Sequence, residues 1–240
     1  MTKTIKRFSF LFLATAICAC AGAKVADQTQ VAPVAAASRP NQIVVYPFAV
    51  SAADVTLNQS IVQRAYRNFS AEDQSASQQT LATDTASNLC LKVASNLTAK
   101  GYRAVCVARG TSVADSNALI LDGEFKNISE GNRLRRLVIG LGAGASTLDT
   151  SVHVYQRTDS TSQPLIEFST HADSGKMPGA AIMGPAGAAA GGSAAVVVGS
   201  NAAVGGIKNY TSATDYLADK TADQITDVVT QYYAQHGWAA

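Results

Sequence analysis

The chain has 240 residues, of which 47% are hydrophobic and 15% charged, and it carries 19 Lys/Arg against 17 Asp/Glu. A net charge of +2 supplies no basic excess of the kind that draws a protein to nucleic acid. The length fits one folded domain of about 200 residues once the ends are set aside, and no internal repeat is evident.

The chain opens "MTKTIKRFSFLFLATAICA". Lys3, Lys6 and Arg7 precede an apolar run, Phe8 to Ile17, shorter than the roughly 20 residues needed to cross a bilayer of about 30 Å. Residues 1–19 are therefore expected to be a secretory signal peptide rather than a transmembrane anchor. The end of the run, "ICAC", resembles the lipobox of bacterial lipoproteins: an aliphatic residue at −3, a small one at −1, then Cys20. That resemblance implies a diacylglyceryl thioether and an N-acyl chain on Cys20, enough chains for stable anchoring. The alternative is ordinary cleavage at "AGA", before Lys24. Ala21 in place of Asp resembles the outer-membrane sorting default, so the expected location is the periplasmic face of the outer membrane. Cleavage lowers the 19 basic residues by three, to 16, against 17 acidic ones, and a secreted chain is again expected to have no nucleic-acid partner.

Residues 20–40 have no strong period and predict a lipidated cysteine followed by a flexible tether, about 25 Å r.m.s. for twenty residues. The β-branched "QIVVYPFAV" (42–50) predicts a first strand, with Pro47 marking an end or an edge. A short helix is expected over 57–69, on Ile61, Ala65 and Phe69. A longer one is expected over 76–101, where Ala82, Ala86, Leu89, Val93 and Leu97 form a stripe and Gly101 suits the left-handed stop. Strands follow over 102–108, 118–128 and 133–141, then a hairpin of 146–156 and 164–173. Pairing Val152 with Phe168 in that hairpin sets His153 opposite Glu167 and Asp149 opposite His171 on the outer face. A last helix, 212–238, presents Ala213, Leu217, Thr221, Ile225, Val228 and Tyr232, ends at Gly237, and brings Trp238 back onto the domain.

Cys90 lies about ten residues before the Gly101 turn and Cys106 about five after it. At 1.5 Å per helical and about 3.3 Å per strand residue, both are roughly 15–16 Å from the turn. They can form a disulfide, or stand as two buried thiols. Residues 177–207 carry no charge between Lys176 and Lys208 and are rich in Gly and Ala. Three readings stay open there: a low-complexity insertion, a packing helix with small residues every four positions, or membrane insertion.

The element order predicts an α+β fold, a mixed, mainly antiparallel sheet with helices on one face, in a single domain over 41–238 interrupted at 177–207. The run "LDGEFKNISEGNRLRRLVIGLGAGASTLDTSVHVYQ" resembles the core signature of a family of uncharacterised bacterial lipoproteins known only as a domain of unknown function. The likeness spans residues 40–175 and 210–238 and leaves 177–207 aside. It implies no activity and no catalytic residue. A looser similarity of topology to curli-secretion and penicillin-binding-protein-activator lipoproteins implies an assembly or accessory role at most.

The glycine-rich stretch has the Rossmann spacing at Gly140, Gly142 and Ala145, but a strand rather than a helix is expected next, so no nucleotide cofactor is expected. Leu137, Ile139, Leu141 and Ala143 alternate with Val138, Gly140, Gly142 and Gly144, which predicts a bare strand face for the close approach of another backbone and a bend near 142–146. Arg133, Arg135 and Arg136 are either a solvated strand end or a contact to an anionic partner. The three histidines lack metal-ligand spacing, and no catalytic or metal-binding residues are predicted. The functional expectation is a non-enzymatic, lipid-anchored accessory or assembly factor with a protein or peptidoglycan partner, its oligomeric state unspecified. The alternatives are an oligomeric secretion or pore subunit using 177–207 and, remotely, a hydrolase with an unrecognised site.

Overall fold

The computed structural model describes residues 22–31, 38–61, 64–65, 68, 73–111, 117–132, 135, 143–158, 161–175 and 208–238. Within them the fold is α+β, a seven-stranded mixed sheet with two long helices on one face. The strands are β1 (Gly22–Gln30), β2 (Gln42–Val45), β3 (Val55–Thr56), β4 (Ala104–Cys106), β5 (Asn117–Ser129), β6 (Thr147–Thr158) and β7 (Thr161–Asp173); the helices are α1 (Gln74–Ala99) and α2 (Lys208–Gln235). The sheet runs β1-β7-β6-β5-β2-β4, with β3 also on β5.

The meander β5-β6-β7 is the antiparallel centre. Its register is the expected one: Val152 faces Phe168, His153 faces Glu167 and Asp149 faces His171. Period-two alternation buries Leu148, Val152, Val154, Ile166 and Phe168 on one face. In β5 the register shifts between Phe125 and Asn127, and this bulge keeps both Phe125 and Ile128 core-facing although they are three apart.

The other flank of β5 carries one interrupted parallel strand. Gln42–Val45 pairs with Ala118–Leu121, Ala49 bridges Glu124, and Val55–Thr56 pairs with Ile128–Ser129. Pro47 lacks the N–H to continue the ladder. A 3-10 turn, Ala52–Asp54, takes up the slack, with Ser51 Oγ accepting from Ala53 N at 3.2 Å. The predicted strand over 42–50 is thus β2 plus a single bridge.

The α1 stripe Ala82, Ala86, Leu89, Val93 and Leu97 is buried against the sheet. Asp73 caps the helix by accepting from Ser75 N at 2.9 Å, and its hydrogen bonds with the Ser75 side chain and backbone hold its carboxyl below the usual range. Both helices stop in Schellman motifs. At α1, Gly101 (φ 91°) donates to Thr98 O and Tyr102 to Leu97 O; at α2, Gly237 (φ 69°) donates to Ala234 O and Trp238 to Tyr233 O. The two reversals bring Tyr102, Tyr233 and Trp238 together, with ring centroids 4.8 Å apart for Tyr102–Tyr233 and 5.8 Å for Tyr233–Trp238.

The helices run parallel, and one offset sets their polar contacts. Asn88 meets Asp215, Lys92 meets Asp219, Asn96 meets Asp223 and Lys100 meets Asp227. Acidic side chains four apart repel on an isolated helix by a few tenths of a kcal/mol per pair. Here each Asp meets an amide or ammonium donor from α1.

The α2 face is wider than expected: beside Leu217, Thr221, Ile225, Val228 and Tyr232 it buries Ala218, Ala222, Val229 and Tyr233. Several hydroxyls on this helix lack a hydrogen-bond partner among the described residues, those of Thr221 and Tyr233 included. An unmet buried hydroxyl costs about 1–3 kcal/mol. Thr221→Val, which keeps the shape and removes that group, should raise unfolding stability by about 1 kcal/mol in urea titration; a loss of that size would show that the hydroxyl is satisfied.

Burial pushes the Tyr233 phenol far above its ordinary value, with a smaller push from Tyr102. The folded state then holds this proton more tightly than the unfolded chain. Its contribution is complete below about pH 10 and declines as the pH rises further. Tyr233→Phe should flatten the alkaline decline in stability, measured by denaturant titration between about pH 8 and 11; a decline as steep as that of the parent would refute the assignment.

Residues 22–30, expected within a tether, instead form edge strand β1, antiparallel to β7, with Gly22 facing Asp173. Ala23 and Val25 pack against the core while Lys24 faces His171. These side chains alternate over only a few residues of an Ala/Gln-rich run, too weak a pattern to stand out in sequence. A bulge between Ala26 and Thr29, with Asp27 at φ 54°, twists this edge. The predicted signal peptide, Cys20, most of the 133–141 strand and the whole of 177–207 lie outside the described residues, as do 62–63, 66–67 and 69 of the predicted 57–69 helix, whose first four residues are not helical. Within the first helix Ile61 is 73% exposed, contrary to its expected core-facing place.

Candidate functional site

The signature run 131–147 begins where β5 ends. Gly131 turns the chain at φ 69° and Gly144 turns it back at φ 77°. Between them the backbones touch: Asn132 N donates to Gly144 O at 3.0 Å. A Cβ placed on Gly131 would lie 2.5 Å from both the Gly144 and Ala145 carbonyl oxygens. The close backbone approach therefore includes Gly144, and the glycine that permits it is Gly131. Gly140 and Gly142 lie outside the described residues.

Ser146 is fully buried in this knot. Its Oγ donates to Glu130 O at 2.7 Å, its N–H to Ser174 Oγ at 3.0 Å, and its carbonyl accepts from Ser174 N at 3.0 Å. Glu130 in turn ties in β3: its N–H donates to Thr56 O at 3.0 Å and its Oε2 accepts from Asn58 N at 2.8 Å. Four separate stretches are thus held at one end of the sheet. Strand β6 starts at Thr147, so no helix opens behind Gly144, and the geometry is that of a packed turn and not of a phosphate loop.

Of the three arginines only Arg135 is described, and it is exposed. It is helical in conformation, not extended as predicted, because Asn132 Oδ1 accepts from Arg135 N at 2.9 Å, the arrangement of a helix N-cap. The strand alternation expected from Arg133 onward therefore does not hold at Arg135. Cys90 and Cys106 form a disulfide with Cα atoms 5.6 Å apart, joining α1 to edge strand β4.

A second feature is the sheet face away from the helices. His171 Nδ1 lies 2.5 Å from Asp149 Oδ1, and His153 Nδ1 lies 3.4 Å from Glu167 Oε1, an ion-pair distance without hydrogen-bond alignment. Asn127 Nδ2 donates to Asp149 Oδ2 at 3.0 Å. Arg109 crosses from the loop after β4, with Nη2 2.5 Å from Asp122 Oδ1 and Nε 2.8 Å from Pro47 O. Lys126 pairs with Glu124, and its hydrogen bond and charge lower the Glu124 carboxyl below its ordinary value. Half of the Glu167 and His171 side-chain surface, 49% each, remains in solvent. The face is a lattice of paired polar side chains. Among the described residues no group of three or more His, Cys, Asp or Glu is placed to hold a metal ion.

At the opposite end from the Gly131 knot, a cleft of about 370 Å³ is lined by Arg39, Asn41, Tyr102, Arg103 and Tyr233. Sequence reasoning missed it because its two arginines are far apart in the chain and meet only through the parallel pairing of β2 with β4. Among the described residues no helix is long and apolar enough to cross a membrane.

These features define an α+β domain with one helix-covered face, one polar face and a tightly knotted strand end. The chain belongs to the family described as "Domain of unknown function (DUF4410)", whose model matches residues 43–191, more than half of its length. The match takes in β2 to β7 and part of the Gly/Ala-rich stretch but stops short of α2. No curated protein matches. Among solved structures the chain is similar to the PelC dodecamer from Paraburkholderia phytofirmans, at 11% identity and a TM-score of 0.38 over 85% of this chain and 97% of that one. A point variant of the same dodecamer gives 12% identity and a TM-score of 0.35 over 85% and 96%.

Proposed function

We propose that this protein is a non-enzymatic, lipid-anchored accessory or assembly factor of the bacterial outer membrane, facing the periplasm and binding a protein or cell-wall partner. The observation that carries the reading is the polar sheet face. Its carboxylates pair with histidines, an arginine and a lysine along and across the strands, which suits a recognition surface better than a reaction centre. The "ICAC" sequence at Cys20 supplies the anchor. The test has two parts. A lipid mass on Cys20 and retention in the membrane fraction, both lost in Cys20→Ala, support the anchor; an unchanged soluble product in that comparison refutes it. Photo-crosslinking in cells from Ser151 and Tyr155 should trap one defined partner, while the same probe at exposed Leu91 on α1 should not. Equal trapping from both faces would remove the polar face from the reading.

A second reading, an oligomeric secretion or pore subunit using 177–207, is favoured by one observation. Gly175 and Lys208, which flank that stretch, both lie toward the end of the domain where Gly22 begins. Gly22 faces Asp173, and α2 runs parallel to α1, whose first turns lie beside Val55 through Gln78 Nε2 and Val55 O at 2.6 Å. Deleting 177–207 separates the readings: a monomer with unchanged function excludes the pore.

A further inference from the structure

Strand β1 fixes more than one edge of the sheet. Its first residue, Gly22, pairs with Asp173 at the end of β7. Cys20 is two residues upstream, and two extended residues reach only about 7 Å. The slack of a twenty-residue tether, about 25 Å, is taken up by the ladder between Gly22–Gln30 and Ile166–Asp173. A lipid on Cys20 would therefore hold the domain by one particular end. We infer that this end, built from Glu130–Asn132, Ala143–Ser146 and Asp173–Gly175, lies directly against the phospholipid surface, with the strands running away from it.

The inference rests on the anchor reading of Cys20. The chemistry of the end suits an interface: small residues Ala143, Gly144 and Ala145 form its turn, Glu130 has its carboxylate turned inward to Asn58 N, and Arg135 is exposed beside it. An exposed arginine at the surface is attracted to anionic headgroups. Strand β6 spans Thr147–Thr158, about 40 Å at roughly 3.3 Å per residue. The hairpin tip at Thr158–Thr161 and the Arg39–Arg103 cleft then face away from the membrane, where a soluble partner or cell-wall polymer can reach them.

Depth-dependent quenching tests this on the full-length lipidated protein in phosphatidylethanolamine/phosphatidylglycerol vesicles carrying nitroxide-labelled lipid. With Cys20 acylated and Cys90 bonded to Cys106, an introduced cysteine is the one free thiol of the mature chain. A fluorophore on Ala145→Cys should be quenched several-fold more than one on Thr161→Cys. Ala143→Cys serves as a second near position if the first variant does not fold. A twenty-residue Gly/Ser insert between Ala21 and Gly22 should bring the near and far labels toward equal quenching. Equal quenching without the insert, on protein whose Cys20 carries the lipid mass, overturns this inference alone. A chain with no lipid on Cys20 overturns it together with the anchor.

Discussion

Gly131→Ala should lower unfolding stability by about 2–4 kcal/mol, measured by urea titration of the purified domain. Two costs add. The added Cβ would sit 2.5 Å from two backbone carbonyl oxygens. Backbone cannot rotate aside as a side chain can, and forced overpacking of this kind costs about 1–3 kcal/mol. The φ of 69° adds about 1 kcal/mol or more for any residue with a Cβ. Gly110→Ala and Gly237→Ala are the controls: both glycines have positive φ, 83° and 69°, yet nothing lies within 4 Å of an added Cβ. They should lose only the conformational part, about 1–2 kcal/mol. If all three variants lose the same amount, the contact between the Gly131 and Gly144 turns contributes nothing.

Removing the disulfide should cost about 3 kcal/mol. Cys90 and Cys106 close a loop with a sequence separation of 16, and loops of that length restrain the unfolded chain by about 3 kcal/mol. The site is also internal at one end, since Cys90 is fully buried on the inner face of α1. The double variant Cys90→Ala/Cys106→Ala should move the urea midpoint down, and reductant should do the same to the parent but nothing to the variant. Alkylation of both thiols in unreduced, denatured protein would refute the bond.

The sequence was most informative where one face of an element is buried. The α1 stripe, the β6–β7 register and the Gly237–Trp238 reversal were all legible, because period and stop signals agree there. Legibility failed where tertiary pairing makes the element. Gly22–Gln30 has little strand character of its own and becomes a strand because β7 offers it an edge. Residues 42–56 look like a strand with a tail; they are one parallel partner of β5 broken at Pro47. The glycine-rich signature directed attention to Gly140, Gly142 and Gly144, while among the described glycines it is Gly131, nine residues before the first of them, and Gly123 that have no room for a side chain. Nothing in a single sequence marks which partner backbone a glycine will meet. The Asp215, Asp219, Asp223, Asp227 stripe is visible in sequence, but its complement on α1 is 127 residues away.

That stripe carries a degeneracy. Because both partners repeat every four residues, sliding α2 by one turn, about 5.4–6 Å, would again give every interior Asp a donor: Asp215 would meet Lys92, Asp219 would meet Asn96, and Asp223 would meet Lys100. The ladder holds the helices side by side but is nearly indifferent to their register, like a rack whose teeth mesh at every notch. The choice among notches falls to features that do not repeat, the buried face of α2 and the Tyr102–Tyr233–Trp238 contact at the paired helix ends among them. Deleting the rings, with every charge left in place, would blur the alignment of α2 on the sheet; neutralising the charges, with the rings kept, would not.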